Sequence, residues 1–293
     1  MAASTVKIGD NGIIQLGVET AYGTASVALV EQHSRSATKG LRRDNLLPSP
    51  RLGQTPAVRA YGVPFTDGEI VLAYDNSRAV IGDLLASAGN LATNDYTIGS
   101  STAVDNDSLT IWIDYGGYVL QHTGSILQSL RFEFQPDSPV VVTAGFLGRS
   151  ATTETPTSYT NPDIADVVWE SDISSITVGG VAMCSLAGTI EVQIPVQGSD
   201  RHCLGGAVIK QPVRLLPIVT TCSLTVELDD TTGADSEAVL DLYLAGTTLG
   251  DIVIGDFTLS NCYMTGEPPA LAEGLTQFPI NATAENLIIT TIA

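Results

Sequence analysis

The chain has 293 residues, 44% hydrophobic and 15% charged, so it can bury a substantial core; 13 Lys and Arg against 32 Asp and Glu give a net charge of −19. A surface this acidic repels phosphate and excludes sequence-specific nucleic-acid binding. No apolar run reaches membrane-spanning length, and the richness in Val, Ile, Thr and Gly excludes a fold of long helices.

Residues 12–30 (GIIQLGVETAYGTASVALV) predict an opening strand followed by an irregular segment. Residues 31–60 form a long loop with no clear period, holding Arg35, Lys39, Arg42, Arg43, Arg51 and Arg59. Irregular chain of that length is a mark of an interaction loop. From Glu69 to Asp75 the side chains alternate, with Ile70, Leu72 and Tyr74 on the apolar face. Asn76 or Ser77 then caps a short helix whose stripe is Val80, Ile81, Leu84, Leu85 and Ala88, ended by Gly89-Asn90. LTIWIDYGGYVLQ (109–121) reads as a hairpin, and SLRFEF (129–134) and PVVVTAGFLG (139–148) as strands.

A Thr-, Ser-, Pro- and Asn-rich loop (150–163) divides the chain. Beyond it, SITVGGVAM carries a Gly179-Gly180 turn, and GTIEVQIPVQG is an amphipathic strand with Ile190, Val192 and Ile194 inward. SLTVELDDTTGADSEAVLDLYLA (223–245) repeats the order of EIVLAYDNSRAVIGDLLASA (69–88), a strand, a polar turn and a short helix, here capped by Asp235 or Ser236. Strands at 251–264, 275–283 and 286–292 complete the pattern. The reading is an internal duplication into two mainly β units, residues 1–152 and 153–293, each a β-sandwich or barrel with one short α-helix.

Signs of catalysis are missing from the sequence. His33, His122 and His202 have no ligand spacing, and no GxSxG elbow or phosphate-binding Gly-rich loop is present. Asp229-Asp230 with Asp235 and Glu237 departs from the calcium-loop motif and reads as a capped helix start. Cys184, Cys203, Cys222 and Cys262 show no CxxC pair and read as reduced thiols, buried at Cys222 and Cys262. Trp112 and Trp169 sit in apolar runs, which predicts core packing for both. The N-terminus MAASTVKIGDNG carries no signal-peptide apolar region, so synthesis in the cytoplasm is expected. The expectation is a non-enzyme without cofactor or metal.

GVETAYGTAS (17–26), GVPFTDGEIVLAYDNSRAVIGDLLASAGN (62–90), RFEFQPDSPVVVTAGFLGRSATTETP (131–156) and the late strand–helix–strand stretch at 222–264 together resemble the tail tube proteins of long, non-contractile-tailed bacteriophages. The resemblance implies a virion tail subunit that stacks as rings into a hollow tube through which DNA passes without specific binding. It also implies tail-tip, tape-measure and tail-terminator proteins as partners. Two units per chain imply a trimeric ring of pseudo-sixfold symmetry, with a hexamer as the alternative. On this reading Glu69, Glu133, Glu191, Gln193, Thr225, Glu227 and Asp229, on the polar faces of strands, face the lumen, and the basic residues 35–59 reach an acidic neighbouring ring. The competing reading is a non-tail β-sandwich surface protein, adhesin or carbohydrate-binding module.

Overall fold

The alternation at 69–75 is carried into a strand of nine residues, and the same period-two logic organises most of the chain. The computed structural model describes residues 12–38, 40–42, 65–99, 107–116, 118–155, 166–173, 175–198, 208–227, 238–239, 241–242, 245–246, 248–265 and 277–292. In chain order the first strands are β1 Ile13–Val18, β2 Val30–Gln32, β3 Ser34–Ala37, β4 Gly40–Arg42 and β5 Phe65–Ala73. Helix α1 Arg78–Ala86 follows, then β6 Asn90–Ala92, β7 Asp95–Gly99, β8 Leu109–Asp114, β9 Val119–Phe134, β10 Val141–Gly148 and β11 Ser150–Glu154. The later strands are β12 Ile176–Val178, β13 Val181–Ala182, β14 Ser185–Gln193, β15 Val196–Gln197, β16 Val213–Arg214 and β17 Val219–Glu227. The last four are β18 Gly250–Ile254, β19 Phe257–Met264, β20 Gln277–Ala284 and β21 Asn286–Thr290.

Among the described residues every strand-to-strand ladder is antiparallel, with one isolated parallel bridge between Ser77 and Ile292, and the strands form a sandwich that does not close into a barrel. The largest sheet runs β3 and β4 on β5, then β10, the C-terminal half of β9, β14, β17, β20 and the end of β19. A second layer is built from β2–β1–β8–β9–β11 and from β13–β12–β18–β19–β21–β7–β6. Strands β9 and β19 each belong to both layers. The core lies between them, centred on Tyr74, Phe132, Phe134 and Phe257, whose rings stand 4.8–5.8 Å apart in tilted and edge-on contacts.

Several local expectations change. Residues 31–60 are not irregular throughout: β2, β3 and β4 form there. Their polar sequence hides them, and pairing with β1 and β5 imposes the extended backbone. The segments 119–121 and 129–134 are one 16-residue strand, because β9 crosses from one layer to the other. Ser77 occupies the α1 N-cap without a side-chain bond; the Asp75 carboxylate instead accepts the Ser77 N–H at 2.7 Å. The helix buries Ile81, Leu84 and Leu85 as its stripe predicts. Trp112 is buried, but Trp169 is 43% exposed, since Val167–Trp169 makes only isolated bridges at the core's edge. Cys222 and Cys262 are buried free thiols, whereas Cys184 is exposed. Residues 238–239 and 241–242 are helical with Val239 buried; the expected caps Asp235 and Ser236 lie outside the described residues.

Candidate lumenal face

The large sheet has two chemically opposite faces, and register decides which side chain goes where. One transverse row runs Leu72, Val142, Phe132, Ile190, Cys222 and Ala282, all buried. The next row, one residue along each strand, runs Val71, Thr143, Arg131, Glu191, Thr221, Thr283 and Tyr263. Successive residues point to opposite faces, so this second row lies on the outside. Two further outer rows flank it: Ala73, Val141, Glu133, Thr189, Ser223 and Asn281, and Glu69, Gly145, Ser129, Gln193 and Val219. Thr225 and Glu227 extend the same face along β17, opposite Pro279 and Gln277.

Six of the sequence-derived candidates, Glu69, Glu133, Glu191, Gln193, Thr225 and Glu227, therefore share one face although they come from four different strands. Asp229 lies outside the described residues. The other positions on the face carry hydroxyls and amides interspersed with small and aliphatic residues such as Val71, Ala73, Val141 and Val219. Arg131 is the cation within these rows: its Nε lies 3.1 Å from Glu133 Oε1, and Glu191 is its partner across the strand pair. Gln193 donates to Glu191, tying two more polar groups together along β14. A shallow recess between β14, β17 and β20 is lined by Thr189, Glu191, Thr221, Ser223, Thr265 and Asn281. Carboxylates outnumber guanidinium groups here four to one, and a face of this kind repels a phosphate backbone.

The basic candidates are less complete. Arg35 is exposed on β3, Arg42 belongs to β4, and Lys39, Arg43, Arg51 and Arg59 lie outside the described residues. Among the described residues no group of three His, Cys, Asp or Glu side chains is arranged to hold a metal, and no helix is long and apolar enough to cross a membrane.

Sequence reasoning missed a polar cluster at the β1–β2 connection. Glu19, 7% exposed, accepts hydrogen bonds from Gly23 N–H (2.7 Å), Ser108 Oγ (2.7 Å), Thr110 Oγ1 (2.9 Å) and Gly124 N–H (2.8 Å). Arg149 stacks over Tyr22, 5.7 Å from the ring centre, and donates to the Tyr22 carbonyl at 3.2 Å. The available signal was an acid beside two turn residues in GVETAYG. It is a fold device, pinning 19–23 against β8 and β9.

A protein-family model described as "Phage tail tube protein" matches residues 9–274. The chain belongs to the phage tail tube protein family. It is thus a structural subunit of the virion tail, of a kind that stacks into a tube with other tail proteins. Among curated proteins no match is found. The mainly β sandwich agrees with that family; a carbohydrate-binding or adhesin role gains no support from it.

Proposed function

We propose that the chain is a duplicated tube subunit, three copies of which close a ring of pseudo-sixfold symmetry, with the outer face of the large sheet lining the DNA channel. The observation that carries the proposal is a repeat of pairing pattern and of irregularity. In the first half the β1–β2 hairpin lies on β8, β8 on β9, β9 on β10 and β11, β10 on β5, and β5 on β3. In the second half the β12–β13 hairpin lies on β18, β18 on β19, β19 on β20 and β21, β20 on β17, and β17 on β14.

Register agrees at two places, although the slip between Gly145 and Phe146 in the β9–β10 ladder has no counterpart in the short β19–β20 ladder. The β3–β5 ladder slips between Ser34 and Ser36, and the β14–β17 ladder slips between Ser185 and Ala187. The β8–β9 ladder slips between Leu109 and Ile111, and the β18–β19 ladder between Gly250 and Ile252. Bulges are fixed by local geometry and are retained within families, so matched bulges support common descent of the halves over coincidence.

The seam between the halves supplies a template for the ring. β9 pairs with β14 from Gly188–Phe134 to Gln193–Ser129, continuing the sheet from one unit into the next. β3 and β4, the counterparts of β14, take β5 on one side and have no partner on the other among the described residues. An open edge in a soluble protein is a hazard unless a neighbour completes it. A second copy completing it would repeat the β9–β14 seam between chains and close a ring. Carboxylates facing the lumen keep the passing DNA from adhering.

The mass of the smallest assembled ring, with its rotational symmetry in electron micrographs, tests this reading. Three copies with six similar lobes are expected. A ring of six copies would overturn the threefold arrangement, and measurable retention of duplex DNA at physiological salt would overturn the lumenal assignment.

A further inference from the structure

The distribution of positive charge follows the matched pairing. The stretch from β3 to β5 holds six basic residues between 35 and 59, with Asp44 as its one acid. Its counterpart joins β14 to β17. Every Lys and Arg after residue 153, namely Arg201, Lys210 and Arg214, falls in that connection, between 194 and 218, with Asp200 as its one acid. Elsewhere the chain has 30 acids against four basic residues, Lys7, Arg78, Arg131 and Arg149.

The described part of this second connection has a docked side and a bare side. β15 and β16 pair with each other, and Val196 packs with Ile209 against Phe65 and Leu147 of the first half. Arg214 donates to the Ser87 carbonyl just beyond the end of α1, fixing the hairpin to that helix. The bare side is apolar: Val213 is 40% exposed, Leu215 44% and Leu216 62%, with Lys210 exposed nearby in the chain. Three large aliphatic side chains left in water on and just after a well-anchored strand mark a contact surface. An apolar patch with the exposed cation Lys210 close by in the chain fits an interface whose other side is acidic.

We infer that residues 194–198 and 208–218 form a second stacking arm, equivalent to the basic stretch of the first half, which takes as its partner the acidic surface of a second copy of this chain in the adjacent ring. The inference rests on the tube reading. It gives each ring six arms in two chemical kinds, three strongly basic and three with an apolar tip. Charge complementarity selects the partner: outside the two connections the chain is almost purely anionic, so another copy offers what the arm lacks.

The test uses the full chain carrying Leu215→Ser and Leu216→Ser together, with Val27→Ser, a fully exposed position elsewhere, as control. Sedimentation and electron micrographs report rings and tubes across a concentration series. Intact rings are expected, with the concentration needed for tube growth raised about tenfold or more and the control unchanged. Tubes at the wild-type concentration would overturn the arm while leaving the tube reading intact. Loss of rings themselves would also overturn it, placing the patch within the ring. Failure of the wild-type chain to form any tube would remove the tube reading, and the arm with it. Should the double variant lose its melting transition, Lys210→Glu carries the same comparison, with a raised stacking concentration supporting the arm and an unchanged one refuting it.

Discussion

Gly124 in β9 and Asn261 in β19 occupy matching bulges in the two halves, and each turns left-handed, with φ of 63° and 51°. A bulge residue leaves its N–H outside the ladder, and both halves supply a carboxylate to accept it. In the second half Asp251, on the facing strand, accepts Asn261 N–H at 3.0 Å in an exposed setting. In the first half the corresponding residue of β8 is Thr110, which hands its hydroxyl to Glu19, and Glu19 accepts Gly124 N–H instead. The same backbone requirement is met by a surface acid in one unit and by a buried one, brought in on a longer β1–β2 connection, in the other. The difference teaches that one bulge geometry can be satisfied in two ways: the backbone is alike at the two bulges while the group that satisfies it comes from different parts of the chain.

Removing the buried acid breaks the comparison most severely. Glu19→Ala leaves four donors without their acceptor in a water-poor site and is expected to destabilise the chain by about 4 kcal/mol, read from denaturant unfolding. Next comes the pair of bulge residues. A Cβ on Gly124 would lie 2.7 Å from the Tyr22 ring and 2.8 Å from Arg149 Cβ, so Gly124→Ala is expected to cost about 2–3 kcal/mol. Asn261→Gly, which relaxes a left-handed backbone at an exposed site, is expected to stay within about 0.5 kcal/mol of wild type; a loss as large as that of Gly124→Ala would show that the two bulges are not alike. Asp251→Ala should cost about 1 kcal/mol, clearly less than Glu19→Ala in the same assay.

The smallest effect is a pH slope. Burial raises the carboxyl pKa of Glu31, Asp75 and Asp83, outweighing the hydrogen bonds and charges that oppose it. The folded chain then holds these protons more tightly than the unfolded chain. Their contribution to stability is therefore greatest at low pH and falls as pH rises from the ordinary carboxylate range through the raised folded values. Asp75→Asn should flatten part of that slope in melting curves taken between about pH 4 and pH 7; an unchanged slope would remove Asp75 from the explanation.

Much of the sheet's inner face is legible in the amino-acid sequence, because a half-buried strand writes its orientation into its own side chains. Ile70, Leu72 and Tyr74, Leu130, Phe132 and Phe134, and Leu224 and Val226 all point inward as the alternation predicts. β3 and β4 are not legible, since Ser34–Ala37 carries no apolar face and is a strand because β5 offers it a ladder. The N-terminal half of β9 is obscured for the opposite reason: its residues are buried on both sides, so alternation gives way to a continuous buried run. Trp169 misleads because an apolar neighbourhood in sequence does not guarantee depth in the fold.

The sequence by itself determined the strand-rich class, the acidic balance, the strand, turn and helix of residues 69–88, and which residues on a given strand share a face. Only the tertiary structure decided that Glu69, Glu133, Glu191 and Glu227 share one face, that the two halves carry bulges at matching places, and that Glu19 serves Gly124. The physical reason is the range of the interactions. Facing within a strand is fixed by its own side chains two residues apart, whereas register joins backbone groups far apart in sequence through hydrogen bonds that carry no side-chain signature.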